Sequence, residues 1–318
     1  MTKRPILITG SHRSGSTWVG KTISAAQGVS YIHEPFSFTC RPGICNADVP
    51  YWFTHITDRN SSLYYKPIHD TLTFKYNLLA ELKACQKPKD YARAVRDLTI
   101  TIGARLSRSQ PLIKDPLAFF SAEWLADSFG MDVVVLIRHP AAFVSSLKVK
   151  GWSFPFDHFL RQEELMQTHL YPFSASIESY ASSQQDIIDQ GILLWNIIHQ
   201  TILNYQNHRP EWLFIRHEDI SRNPTEKFQE IFQYLNLEFS SSVRETIVRS
   251  TGTNNQKETT DDIHNVKRNS ELNIWNWKER LTSSEINRIQ EGVEVISEAF
   301  YTVEDWEGDK SNLSALIS

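Results

Sequence analysis

Short apolar runs alternate along the chain with longer stretches in which apolar residues recur at helical spacing. Such alternation is typical of a parallel sheet covered by helices. The most continuously apolar and β-branched run suits a strand buried on both faces. The pattern predicts an α/β fold with a central parallel β-sheet flanked by helices. The predicted strands are Pro5–Thr9, Ser30–Ile32, Pro111–Lys114, Asp132–Ile137 and Trp212–Ile215.

Helical periodicity predicts ten helices between and after these strands. Two of them begin with clear start signals, a proline after Asn223 and a serine pair followed by Glu285. The predicted helices cover residues 17–27, 74–85, 90–107, 119–129, 140–149, 157–169, 184–207, 224–236, 240–250 and 283–299.

Two stretches, residues 36–73 and 150–183, interrupt the regular pattern and are rich in aromatic residues. Long irregular inserts in an α/β domain are usually functional, and aromatic side chains suit a binding cleft. They are also compatible with plain surface insertions that hold small apolar clusters of their own. We therefore predict a single domain over residues 1–302 with these two inserts, followed by a tail at 303–318.

Composition narrows the class of protein without choosing a function. The chain has 318 residues, 41% hydrophobic and 22% charged, with a formal net charge of −4, so no globally basic nucleic-acid surface is indicated. No apolar run reaches the ~18 residues that a membrane helix needs. Three cysteines are too few for a disulfide framework, and Met1–Arg4 leaves little room for a signal peptide. These features lead us to expect a cytoplasmic protein.

The chain opens with a phosphate-binding pattern that fits two registers. Residues 15–22 satisfy G-x-x-x-x-G-K-[ST], the loop of nucleoside triphosphatases and kinases, with Lys21 as its lysine. The same frame begins five residues upstream at Gly10, with Ser16 in the lysine position. The first register predicts nucleoside-triphosphate chemistry, and the second predicts a different phosphate-bearing donor.

The position of the first strand favours the upstream register. A phosphate loop joins a buried strand to a helix N-terminus, where free N–H groups and the helix dipole meet the anion. The apolar run ends at Gly10, so the loop should begin there. In the downstream register, Trp18 would fall in a loop that presses bare backbone against phosphate, although it suits a helix face better. Arg13, Ser14, Gly15, Ser16 and Thr17 are thus the predicted anion ligands.

A second constellation follows the fourth predicted strand. A nucleoside triphosphatase carries an acidic residue there to hold Mg²⁺, whereas this chain has Arg138. Pro140 begins the next helix, and Ser146 lies two turns into it. An arginine and a serine in this arrangement favour a second anion over a metal ion, although Arg138 also suits a salt bridge at a strand end.

Together these motifs resemble the sulfotransferases that use 3′-phosphoadenosine 5′-phosphosulfate (PAPS). Residues 13–18, Arg-Ser-Gly-Ser-Thr-Trp, are similar to that family's 5′-phosphosulfate loop, and Arg138-His-Pro with Ser146 is similar to its 3′-phosphate motif. Residues 214–220 and 267–281 resemble two further family segments in the same order. The resemblance covers residues 6–281 and is closest to the carbohydrate-type and bacterial branches. It implies a P-loop-like α/β core with helical and irregular inserts.

The resemblance also implies an activity and a set of roles. PAPS would be the sulfuryl donor and adenosine 3′,5′-bisphosphate (PAP) the product, and no metal would be required. Arg13 would stabilise the sulfuryl group and the leaving phosphate, with Lys114 as a second candidate. Trp18, like the loop residues before it, is expected to contact PAPS. Lys267 and Arg268 are expected to close over the 3′-phosphate.

An acceptor also needs a general base. The Glu-Pro pair after the second strand carries the proposed base in carbohydrate-type relatives, and here that residue is Glu34. His33, His69 and Asp115 remain alternatives, as does a structural role for Glu34. The expected acceptor is a hydroxyl, or an amine, of a carbohydrate or small metabolite. A kinase using residues 15–22 and a non-catalytic nucleotide-binding module remain competing interpretations, and the oligomeric state is open.

Overall fold

Five parallel strands form the central sheet of the computed structural model, which describes residues 3–251 and 274–307. All five predicted strands are confirmed, each to within one residue at either end. Their order across the sheet is β2-β3-β1-β4-β5, so the chain moves to one side of β1 first and to the other side afterwards. The strands are β1 (Ile6–Gly10), β2 (Val29–His33), β3 (Gln110–Lys114), β4 (Asp132–Ile137) and β5 (Leu213–Arg216).

Helices cover both faces of the sheet, as predicted. Alternate residues of β1 enter separate hydrophobic clusters, since Leu7 belongs to one and Ile6 and Ile8 belong to the other. The helices are α1 (Ser16–Ile23), α2 (Ser61–Leu72), α3 (Leu78–Ala84), α4 (Pro88–Leu106), α5 (Ala122–Phe129), α6 (Pro140–Lys150), α7 (Asp157–Leu160), α8 (Glu163–Thr168), α9 (Ser174–Ser182), α10 (Ile187–His208), α11 (His217–Arg222), α12 (Pro224–Tyr234), α13 (Ser241–Thr251), α14 (Trp277–Arg280), α15 (Ser283–Ser297) and α16 (Val303–Glu307).

The two inserts contain more regular structure than their sequences predict. Residues 36–73 include the three-turn helix α2, which was not predicted. In residues 150–183 the predicted helix 157–169 is divided into α7 and α8, and the unpredicted helix α9 follows. Tyr64 and Ile68 form part of the buried face of α2 at helical spacing, but Pro67 lies between them and masks the pattern. Within the described residues, no helix combines the length and apolar character needed to cross a membrane.

The C-terminal end of the described chain also differs from its prediction, because part of the predicted tail is docked on the domain. Asp305 in α16 is 7% exposed and forms ion pairs with Arg216 at 2.8 Å and Arg222 at 3.0 Å. Its neighbour Trp306 is also buried. Residues 303–307 therefore belong to the folded domain.

The turn at the end of β1 requires a residue without a side chain. Gly10 has φ +125°, and a Cβ atom there would lie 2.3 Å from the backbone oxygen of Leu136 in β4. We expect Gly10→Ala to lower the free energy of unfolding by about 2–3 kcal/mol or more, because both backbone strain and a backbone clash result. Chemical denaturation measures this loss.

Gly103 in α4 provides the matched control for that substitution. A Cβ atom there meets nothing within 4 Å, and the position is inside a helix. Gly103→Ala should raise the free energy of unfolding by about 0.5–1 kcal/mol. Equal stability of the two variants would contradict the role given to Gly10.

Candidate functional site

The carboxyl ends of the five strands bring the candidate residues to one edge of the sheet. Because the strands are parallel, the loop after Gly10, the turn at Glu34, Lys114 and Arg138 all lie at or directly after strand ends at that edge. The chain reverses direction across the sheet between β3 and β4, with β1 in the centre. Open α/β sheets bind ligands at such a switch point.

The phosphate-loop candidate occupies residues 11–15, between β1 and α1. Arg13 has φ 66° and Gly15 has φ 85°, so the backbone folds back on itself before the helix begins. Gly15 is the N-cap of α1 and offers no side chain to the first-turn N–H groups. Turns of this kind present backbone N–H groups to anions, and the upstream register is the one that the fold adopts.

The downstream register lies almost wholly inside a helix. Residues 16–22 are helical, so this stretch forms no loop around a phosphate. Gly20 has another function there: a Cβ atom would lie 2.8 Å from the ring of Tyr31 and 3.2 Å from Cβ of Lys114. The glycine lets α1 pack closely against the sheet, and this packing accounts for the second glycine of the apparent nucleotide-binding pattern.

Three buried hydroxyl groups surround the loop without a hydrogen-bond partner among the described residues. They belong to Thr9, Ser11 and Ser14, each 0% exposed. Buried polar groups are nearly always paired, so a group of three calls for an explanation. Hydroxyl donors beside a helix N-terminus suit an anionic ligand with many acceptor oxygens.

Arg13 connects the loop to the second predicted motif. Its Nε donates a hydrogen bond to Oγ of Ser146 at 2.8 Å, and its guanidinium lies 5.6 Å from the ring centre of Trp152. The loop and the α6 serine, far apart in sequence, are thereby neighbours. Trp152 lies in the aromatic-rich insert at residues 150–183. Its spacing of six residues from Ser146 matches no motif, so the sequence does not single it out.

Arg138 is anchored at the end of β4 by an acidic residue of α11. Its Nε lies 3.5 Å from Oε1 of Glu218, which also accepts a hydrogen bond from the backbone N–H of His139 at 3.2 Å. The other oxygen of Glu218 accepts from the Tyr301 hydroxyl at 3.0 Å. Salt bridging and anion binding, the two interpretations of Arg138, are therefore compatible, because one carboxylate orients a buried guanidinium that keeps further donors.

Glu34 and Lys114 form an ion pair across the ends of β2 and β3. Lys114 is 1% exposed, whereas the Glu34 side chain keeps 27% of its surface accessible. Glu34 has φ 44°, an unusual conformation for a residue other than glycine, and its backbone N–H donates to the oxygen of Lys114 at 3.0 Å. A buried cation thus holds an accessible carboxylate at the edge of the sheet.

Asp115, the residue after Lys114, holds the turn that contains Glu34. Its carboxylate is fully buried and accepts hydrogen bonds from the backbone N–H of Phe36 at 2.6 Å and of Leu117 at 2.9 Å. Burial, reinforced by the charge of Glu34, raises the pKa of Asp115 to about 7. Since solvent does not reach Asp115, its geometry suits a role in holding the Glu34 turn rather than contact with a substrate.

The remaining candidate bases differ in position. His33 of β2 is paired with Lys114 of β3 in the sheet register. Its Nε2 lies 3.9 Å from Oε2 of Glu34. His69 lies in the last turn of α2, where it stacks on Tyr65 and pairs with Asp70. Neither of these contacts reaches the carboxyl edge of the sheet.

Two further predictions concern donor contacts. The indole of Trp18 is buried in a hydrophobic cluster and donates a hydrogen bond to Ser250 at 3.1 Å, so its contacts are those of a core residue. Lys267 and Arg268 lie outside the described residues.

His12 is a loop residue that the sequence did not single out. It is buried among Trp52, Phe53 and Phe143, with ring centres 5.0–6.0 Å apart. Burial, together with the charge of Arg13, lowers the pKa of His12 to about 3, so the ring is neutral. It links the loop to the aromatic insert, a contact between segments that a single sequence does not reveal.

The ionisation of Asp115 should make stability depend on pH. Its pKa is raised above the ordinary 3.8, so its contribution is largest below pH 4 and is lost as the pH rises through about 7. Asp115→Asn removes this titration, and its free energy of unfolding should fall less over that range than that of the wild type. The expected difference is on the order of a few kcal/mol, since one pKa unit corresponds to about 1.4 kcal/mol.

Urea denaturation at intervals between pH 4 and 8 measures the effect. The exposed surface variant Asp58→Asn serves as the control and should keep the wild-type slope. Parallel profiles for Asp115→Asn and wild type would contradict the assignment.

Comparison with solved structures finds sulfotransferases at low sequence identity. A sulfotransferase domain from the curacin biosynthetic pathway is 15% identical, with 92% of this chain and 98% of that chain covered and a TM-score of 0.45. Mouse sulfotransferase SULT7A1 complexed with PAP is 12% identical, with coverages of 93% and 85% and a TM-score of 0.46. Sulfotransferase STF9 from Mycobacterium avium is 11% identical, with coverages of 94% and 77% and a TM-score of 0.42.

Sequence comparison is more decisive. No curated protein matches the chain. The family model described as the sulfotransferase domain matches residues 3–304, which is nearly the whole length. The chain therefore belongs to the sulfotransferase domain family.

Proposed function

We propose that the protein transfers the sulfuryl group of PAPS to a hydroxyl group of a small-molecule or carbohydrate acceptor, with Glu34 as the general base. The observation that carries the proposal is the hydrogen bond between Arg13 and Ser146. It joins the loop at residues 11–15, expected to bind the 5′-phosphosulfate, to the serine expected to hold the 3′-phosphate. A donor with phosphate groups at both ends of one ribose needs both motifs in one site.

Positively charged side chains and N–H and O–H groups would hold PAPS. The N-terminus of α1 and the buried hydroxyls of Ser11 and Ser14 suit the 5′-phosphosulfate, and Arg138 with Ser146 suits the 3′-phosphate. Arg13 lies between these two groups and is positioned by Ser146. Two of the three unpaired hydroxyl groups described above would thereby gain an acceptor.

The transfer itself is an in-line displacement at sulfur. The acceptor oxygen forms a bond to sulfur while the bond from sulfur to the 5′-phosphate oxygen breaks, and the acceptor proton passes to the Glu34 carboxylate. Arg13 offsets the negative charge that develops on the leaving phosphate, as cationic groups do in phosphoryl transfer. Lys114 keeps Glu34 oriented through their ion pair until the proton arrives.

The competing kinase hypothesis has less support at two positions. Gly20 and Lys21 lie within α1, where Gly20 packs against β3. Arg138 stands where a triphosphatase would hold Mg²⁺ with an acid. An amine acceptor, the choice of Glu34 over His33 and a cytoplasmic location stay predictions.

Donor binding distinguishes the two hypotheses. PAP without Mg²⁺ should raise the melting temperature of the wild type, because a ligand at about 100 times its Kd adds about 2.7 kcal/mol of stability. Arg13→Ala should weaken PAP binding by about tenfold or more, since it removes a charged hydrogen-bonding group. Lys21→Ala is the control and should bind PAP like the wild type. Stabilisation by Mg-ATP alone, or a loss confined to Lys21→Ala, would overturn the proposal.

The base is tested separately from donor binding. Glu34→Gln should bind PAP normally but transfer labelled sulfate about 10²–10⁴-fold more slowly, because proton removal is lost. His33→Gln is the matched comparison and should retain most of the activity. An acceptor panel with radiolabelled donor supplies the assay. Near-wild-type turnover by Glu34→Gln would exclude Glu34, and loss of turnover in His33→Gln alone would assign the base to His33.

A further inference from the structure

The outer face of α4 carries a stripe of exposed apolar side chains. Tyr91, Val95, Ile102 and Leu106 are exposed, and the half-buried Leu98 lies among them. The five residues recur at spacings of four, three, four and four, which places them along one side of the helix. Val95 is 64% exposed and Leu106 is 79% exposed. An amphipathic helix of a globular protein normally turns such a stripe inward.

The stripe points outward because α4 is held through a different face. Its buried residues are Ala94, Asp97 and Ala104, two of which are too small to contribute a large apolar contact. Arg41 fixes Asp97 at 3.0 Å and also pairs with Glu81 of α3. These buried ion pairs fix the orientation of the helix and leave its apolar side exposed.

The neighbouring helix α3 extends the apolar surface. It packs against α4, and Leu78, Leu79 and Leu82 are all exposed. Of the 17 large apolar side chains that are exposed in the described residues, eight lie within residues 78–106. Such a concentration marks an interaction surface, whereas single exposed apolar residues need no explanation.

The charges around this surface are mostly positive. Residues 78–108 contain seven lysines and arginines and three acids, in a chain whose formal net charge is −4. Two of the acids, Glu81 and Asp97, are buried and paired with Arg41, and Asp97 also pairs with Arg96 at 2.8 Å. Asp90 accepts hydrogen bonds from backbone N–H groups and lies 4.0 Å from Arg93. The exposed basic residues are Lys83, Lys87, Lys89, Arg93, Arg96, Arg105 and Arg108.

We propose that α3 and α4 dock the protein on an anionic lipid surface. The apolar stripe would enter the boundary between headgroups and acyl chains, and the flanking basic residues would meet the anionic headgroups. A second copy of the chain would bring like charges together. This inference is independent of the proposed transferase activity.

Vesicle co-sedimentation of the full chain tests the proposal. We expect the protein to sediment with vesicles of phosphatidylcholine containing phosphatidylserine, to bind pure phosphatidylcholine weakly, and to be released as the salt concentration rises. Val95→Asp should lower the partition onto anionic vesicles by about tenfold or more, because it places a charge where apolar area is buried. The variant should fold, since Val95 is exposed.

Val248→Asp is the matched control. Val248 is also 64% exposed and lies in a helix, α13, outside this surface. It should bind anionic vesicles like the wild type, with both variants showing unchanged melting temperatures. No sedimentation with anionic vesicles, or equal binding by both variants, would overturn the proposal. A dimer in light scattering that Val95→Asp dissociates would assign the surface to a second copy instead.

Discussion

Buried positive charge at the carboxyl edge of the sheet is the constraint that organises this protein. A cation removed from water must be paired, and each pairing here also fixes a neighbouring segment. Lys114 holds the turn at Glu34, and Arg138 holds Glu218 of α11. The requirement for charge compensation therefore determines where the loops lie.

The same pairings extend beyond the sheet. Glu218 reaches Tyr301 near the C-terminal end of the described residues, and Asp305 there compensates Arg216 at the end of β5. His139 is buried between Trp277 and Trp306, with ring centres 5.2 and 4.5 Å away. Charged and aromatic contacts thus bind the last helices to the strand ends, which explains why residues 303–307 are folded.

The sequence was most informative where one local rule decides the structure. A continuous apolar run such as Asp132–Ile137 suits only a strand buried on both faces, and a loop must start where a strand ends, which placed the anion site at Gly10. The sequence was least informative where long-range contacts decide. Helix α2 is stabilised by a buried face that Pro67 obscures, and no periodicity reveals that Trp152 lies over Arg13.

The predicted site residues come from separate local motifs, and only the fold shows which of them are neighbours. Arg13 and Ser146 belong to two such motifs, and a hydrogen bond joins them in the structure. Trp18 follows the predicted anion ligands by one residue, and helix geometry turns its indole into a hydrophobic cluster. Its contact with PAPS, which the family motif implies, stays a prediction.

Gly20 shows how the anion site is positioned from a distance. About 6 Å of helix, four residues at 1.5 Å each, separate it from Ser16 at the helix N-terminus. Helix α1 is rigid over this length, so the height at which Gly20 lies on Tyr31 and Lys114 also sets the height of the terminal N–H groups above the strand ends. Because glycine has no side chain, it lets α1 lie directly on the sheet at this point. A single methyl group here would touch no ligand, yet it would tilt the helix and displace the N–H groups at its N-terminus.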